Sequence, residues 1–147
     1  MHLLVWSLDQ QQYALPLFAV DRVVRAVAVT ALPGAPPIVS GMINVHGTIT
    51  PVVNMRERLS LPQRAVDPGD ALVLAHTARR PVAFFVDQVS RLADYPDTCI
   101  VEAQSVAPSG DYIAGMAKSA DGITLIHDLD RFLSLDEEAA IDQALRG

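Results

Sequence analysis

The stretch "IVSGMINVHGTITPVVNMRERL" (residues 38–59) sets how this chain is understood, because "YIAGMAKSADGITLIHDLDRFL" (residues 112–133) repeats it. Val39 matches Ile113, and Gly41–Met42 match Gly115–Met116. With a small gap Gly47 matches Gly122. Beyond it Val52 matches Ile126, Met55 matches Leu129 and Leu59 matches Leu133. Asn54 and Asp128 both stand where a helix would be capped. A shorter phrase precedes each copy, "VDRVVR" (20–25) and "VDQVSR" (86–91). Each half thus reads as V-D-x-V, a loop, a G-M strand, a glycine turn, a second strand and a short helix. One such unit is too small for a secure core, but two that exchange strands or pack together can bury one. Short strands with turn signals at close intervals point to barrels rather than an open sheet.

Ahead of the first copy, "HLLVWSL" (2–8) is rich in strand formers, and the polar break at Asp9–Gln12 predicts a hairpin turn into "YALPLFAV" (13–20). Pro16 places an edge or an end in that second run. Val20, Val23 and Val24, at i, i+3 and i+4, predict one turn of a helical face. "AVAVTAL" (26–32) has strand composition, and the three prolines of "LPGAPP" (32–37) make a loop. "NVHG" (44–47) predicts a tight turn with positive φ at Gly47. Between the copies, strands are expected at "ALVLAH" (71–76) and "PVAFFVDQV" (81–89), and "AFFV", apolar on both faces, predicts a central strand. Asp121–Gly122 is a hairpin signal. Ser134 and Glu137 form a capping box ahead of a C-terminal helix over 135–146, with Ile141, Ala144 and Leu145 on one face.

Composition narrows the function classes. The chain has 147 residues, half of them apolar, and a net charge of −6. That suits a single folded domain of two similar β lobes spanning residues 1–147. The arginines are scattered and Lys118 is the sole lysine, so no basic stripe exists to hold nucleic acid. Cys99 stands alone and forms no internal disulfide. "MHLLVWSLDQ" lacks the basic start of a signal peptide, and no run approaches the ~20 apolar residues of a membrane span, so a cytoplasmic protein without membrane insertion is expected. His2, His46, His76 and His127 lack metal-site spacing, and no metal or cofactor is expected. No phosphate loop or nucleophile elbow occurs. The carboxylate pairs Asp128/Asp130 and Glu137/Glu138 read as helix starts, so no catalytic residue is assigned.

From about Val5 to Leu133 the ordered motifs resemble the CheW family, the coupling proteins of bacterial chemotaxis. They are "YALPL", "VDRVV", "GMINVHG", "PVVNMR", "VDQV", "YIAG" and "LIHDLDRFL". The resemblance implies a mostly β fold of two intertwined SH3-like five-stranded barrels, with short helices and a C-terminal helix. It implies a non-catalytic adaptor that couples the cytoplasmic tip of a methyl-accepting chemoreceptor to the regulatory domain of a chemotaxis-type histidine kinase. A divergent scaffold for another partner, in a pilus-motility or other chemosensory-like pathway, is the alternative. The partner-binding residues are then Val20, Asp21, Arg22, Val23, Asn44, His46, Gly47, Val86, Asp87 and Val89. Each of the four valines also reads as plain core. Two positions depart from the family pattern. His46 stands where the family has arginine, and Arg22 where it has an acid, so an acid–base pair becomes two bases.

Overall fold

The computed structural model describes residues 1–102, 113–120 and 122–146. In chain order the strands are β1 (His2–Leu8), β2 (Gln11–Pro16), β3 (Val20–Arg25), β4 (Val39–Val45), β5 (Thr48–Val53), β6 (Ala71–His76), β7 (Pro81–Val86), β8 (Gln88–Asp94), β9 (Ile100–Glu102), β10 (Ile113–Ser119) and β11 (Gly122–His127). The helices are α1 (Met55–Arg58) and α2 (Leu135–Arg146). One sheet runs β8-β1-β2-β11-β10-β9, the other β3-β6-β7-β5-β4. The fold is mostly β, in two sheets, one of five strands and one extended to six by β9.

The sequence repeat is a topological repeat. The order β3-β6-β7-β5-β4 maps onto β8-β1-β2-β11-β10. In each sheet the repeat hairpin lies alongside a parallel neighbour, β5 with β7 and β11 with β2. Even the irregularity is shared: the ladder slips between Val39 and Gly41 in one hairpin and between Ile113 and Gly115 in the other. A residue inserted at the same place twists the two strands alike. The glycines beside these slips are explained by close approach. A Cβ at Gly41 would lie 2.5 Å from the Thr30 carbonyl oxygen, and one at Gly115 would strike the Val101 carbonyl oxygen.

The structure corrects the expected gap. Val45 pairs with Thr48, and Ser119 with Gly122, so the two hairpins have equal loops and the offset is constant from Val39/Ile113 to Leu59/Leu133. Gly47 lies in the turn with φ +88°, whereas Gly122 opens β11. Asp121 and Gly147 lie outside the described residues. A second correction concerns Val20–Val24. They form no helical turn but lie in edge strand β3, with Val23 opposite Val73 and Val24 opposite Leu72. Three valines fit either period, and β-branched side chains favour the pleated surface. In 26–32 only Thr30 makes a bridge, to Met42.

Both V-D phrases mark a crossing between sheets. The chain leaves β2, makes a 3₁₀ turn at Leu17–Ala19 and enters β3; later it leaves β7 and passes Asp87 into β8. Alternation along the strands then builds three layers of core. Leu3, Val5 and Ile126 face one small cluster, and Ile43, Val52, Leu72 and Leu74 face another. The opposite faces, with Leu4, Trp6, Leu8, Val73, Phe84 and Val86, form the largest cluster, between the sheets. Trp6 packs on Phe84 at 5.2 Å and stacks on His127 at 5.8 Å.

The helices close this central layer. Asn54 caps α1, its Oδ1 accepting the Glu57 N–H at 3.1 Å. Asp128 precedes a 3₁₀ turn, Leu129–Arg131, and makes no such cap bond. The predicted capping box of α2 is present: the Ser134 hydroxyl accepts the Glu137 N–H at 3.1 Å, and Glu137 accepts the Ser134 N–H at 2.9 Å. Ile141 is fully buried in the central cluster, Ala144 is half-buried and Leu145 is exposed. Ion pairs from Arg58 to Glu137 and from Arg80 to Asp142 fasten α2 to α1 and to the β6–β7 turn.

Candidate functional site: the two sheet crossovers

The first crossover brings together most of the residues expected to meet a partner. Val20 is half-buried and packs on the central core. Asp21 is exposed and bonds His76 Nδ1 at 2.8 Å. Asp21, Arg22 and His46 line one pocket of about 200 Å³ over Leu74, Ala75 and Val82. His46 is held outward by the β4–β5 turn, where it and Gly47 both take positive φ and Asn44 Oδ1 accepts the Gly47 N–H at 2.7 Å. Val23 lies on the exposed edge of the same strand as Arg22. The position therefore offers an apolar floor with two bases beside it, and among the described residues neither Arg22 nor His46 enters an ion pair. Docked helices need apolar anchors of this kind on the receiving side.

The second crossover is different. Val86 is 1 % exposed and belongs to the central core, so its side chain meets no partner here. Val89 is half-buried against the same core. The Asp87 carboxylate is already taken. Its Oδ1 accepts from Arg56 Nη2 at 2.7 Å and from Arg64 Nη2 at 2.5 Å, and its Oδ2 accepts the Asp9 N–H at 2.9 Å. Arg56 also donates to Asp9 Oδ1 at 2.7 Å and to the Pro62 carbonyl at 3.0 Å. Arg64 donates twice to Asp70, at 2.8 and 3.1 Å. The chain Asp9–Arg56–Asp87–Arg64–Asp70 thus ties the β1–β2 turn, α1, the crossover and the 62–70 connection. Burial pushes the Asp87 carboxyl up, but the bonds from the Asp9 N–H, Arg56 and Arg64 outweigh it and hold it below the usual carboxylate range. Arg64 is raised above its ordinary value, first by its bonds to Asp70 and then by Asp87.

Sequence reasoning misses this network. Arg56 is only the last letter of "PVVNMR", and Arg64 sits in a polar, proline-bearing connection. Two arginines in such places carry little local signal, because apart from Asp70 their carboxylates, Asp9 and Asp87, come from elsewhere in the chain. Among the described residues no group of three His, Cys, Asp or Glu side chains is placed to hold a metal ion, and no helix is long and apolar enough to cross a membrane.

The fold has counterparts among known proteins. The chain is 20 % identical to the chemotaxis protein CheW of Klebsiella aerogenes, covering 97 % of this chain and 87 % of that one. It is 21 % identical to CheW of Treponema pallidum, over 92 % of this chain and 83 % of the relative. Among solved structures, the scaffolding protein TtCheW of Thermoanaerobacter tengcongensis has the same fold, with a TM-score of 0.84 at 24 % identity over 92 % of this chain and 94 % of that one. The family model described as the CheW-like domain matches residues 2–137, which span every described strand of both sheets and the start of α2, and the chain belongs to that family.

Proposed function

We propose that this chain is a non-catalytic cytoplasmic adaptor that couples a chemoreceptor signalling tip to a chemotaxis-type histidine kinase. The observation that carries the reading is the match to the CheW-like domain along residues 2–137, shared with relatives that are chemotaxis proteins. The mechanism is bivalent binding. One surface takes a helical receptor tip, another takes the kinase regulatory domain, and tethering raises the effective concentration of each near the other. The receptor surface is the first crossover, with Val20, Asp21, Arg22, Val23, Asn44, His46 and Gly47. Val89, half-buried on the central core, and Val86 and Asp87 act from within by holding the fold. The two bases Arg22 and His46 favour a partner other than the one that suits an acid–arginine pair, which supports a divergent pathway as the second reading.

Calorimetric titration tests the reading directly. The folded chain is titrated with a receptor-tip helical hairpin, then with a kinase regulatory domain from the same cell. Binding to both, with Arg22→Glu weakening only the receptor arm, supports it. Silence towards both overturns the adaptor role.

A further inference from the structure

The repeat carries pockets as well as strands. At the second crossover Ser40, Val53, Met55, Arg56 and Val86 line a pocket over which residues 63–66 lie, leaving about 80 Å³. The pocket at the repeat-equivalent place is lined by Ala114, His127, Leu129 and Asp130, which stand where Ser40, Val53, Met55 and Arg56 stand, together with Leu15 and Ala19. It holds about 390 Å³. The chain path explains the difference. After α1 the chain turns and runs across the first pocket: Arg56 donates to the Pro62 carbonyl, Asn54 Nδ2 to Gln63 Oε1 at 2.8 Å, and Arg64 reaches Asp87. After Leu129–Arg131 the chain instead enters α2, and no described residue of α2 lines the second pocket.

The open pocket has an apolar floor and an acidic edge. Phe18, at its rim, is 82 % exposed, the highest value among the large apolar side chains described. Asp130 Oδ1 accepts the Ala78 N–H at 2.7 Å, and among the described residues neither Asp128 nor Asp130 enters an ion pair. The neighbouring arginines serve α2: Arg80 donates to Asp142 at 2.5 Å, and Arg79 lies 3.8 Å from Glu138. In the filled pocket a cation, Arg56, holds the place of Asp130, and the covering segment's Arg64 pairs with Asp87 and Asp70 instead.

We propose that this pocket docks an extended segment of a partner protein that carries an arginine beside an aliphatic side chain. The segment crosses the pocket as residues 61–66 cross its counterpart, but its arginine turns to Asp130, the acid that stands where Arg56 stands. Its aliphatic group covers Leu15 and Leu129 under Phe18, and its guanidinium donates to Asp130, a charge-assisted bond stronger than a neutral one. The extended path follows from the repeat and the arginine from the acidic edge, and the inference stands independently of the adaptor reading.

The probe is an acetylated, amidated peptide of residues 59–66, whose only charge is Arg64. It is titrated into the whole isotope-labelled chain and followed by amide chemical shifts. The expected result is saturable shifts at Ala19, Ala78 and Leu129, with affinity falling about tenfold when the peptide's arginine becomes glutamate. Phe18→Ser, at an exposed site, weakens the peptide several-fold while melting is unchanged, and Asp130→Asn reproduces the loss. Shifts that do not saturate, shifts centred on Arg56 and Asp87, or equal binding of the glutamate peptide each overturn the proposal.

Discussion

Asp21 and Asp87 share a letter in two copies of one phrase, but the ladders set the copies three residues apart. Ser90 holds the place of Asp21 and Phe18 the place of Asp87, and the two carboxylates live under different electrostatics. Asp87 receives two guanidinium groups and a backbone N–H, and its crossover is locked. Asp21 touches one exposed histidine, and its crossover faces solvent. The difference lies in the chain beyond each repeat hairpin. Behind the first, α1 and the 62–70 connection return two arginines to the crossover. Behind the second, the chain enters α2 and supplies none. A duplicated β unit can thus keep one crossover as an internal joint and leave the other exposed to solvent.

The features the two copies share should be the costliest to break. Gly41→Ala and Gly115→Ala each push a Cβ into the backbone of the adjoining segment, which cannot retreat as a side chain would. Each is expected to cost about 3 kcal/mol or more, read as the urea midpoint of two-state unfolding. A mild effect at only one of them would show that the two slips are not equivalent.

The lock itself comes next. Arg56→Ala strands Asp9 and Asp87 close together without their shared cation. Because the carboxylates are partly exposed, the loss should fall below that of a fully buried pair, at about 2 kcal/mol. The same loss from Arg64→Ala should be smaller, about 1 kcal/mol, since its guanidinium is more exposed.

The lock should also show in acid. The Asp87 carboxyl is held below its ordinary value, so its stabilising contribution is present above the usual carboxylate range, near pH 4, and is lost as pH falls through the lowered folded value. Glu137 adds to the same slope. Burial pushes its carboxyl up, but the bonds from the Ser134 N–H and Arg58 outweigh it. Comparing wild type with Asp87→Asn isolates the crossover's share. The variant should be less stable at neutral pH, and the gap should close on acidification. A gap that persists at low pH would mean that the carboxylate's charge is not what stabilises the joint.

The smallest effect belongs to the open crossover. Asp21→Ala removes one exposed contact and should shift stability by less than about 0.5 kcal/mol. Such a variant is therefore safe for binding assays, and a change in partner affinity would report on the surface rather than the fold.

Much of the architecture is legible in the residues. The G-M hairpins, the central "AFFV" strand, the Asn54 cap and the Ser134–Glu137 box are local patterns, readable because strand alternation and capping involve neighbours a few positions apart. The ordered motifs also point to the family. Other features are not local. The equal hairpin loops need the ladder, since matching glycine to glycine suggests a gap that backbone pairing does not contain. The strand at Val20–Arg25 needs β6 beside it.

That this protein is a doubled β unit of the CheW-like kind is written along the chain, in the repeat and its turn residues. Which V-D crossover becomes a joint and which a surface is settled on folding alone. Asp87 finds Arg64, Arg56 and Asp9 at separations of 23, 31 and 78 residues, and only the folded chain brings those charges within hydrogen-bonding distance.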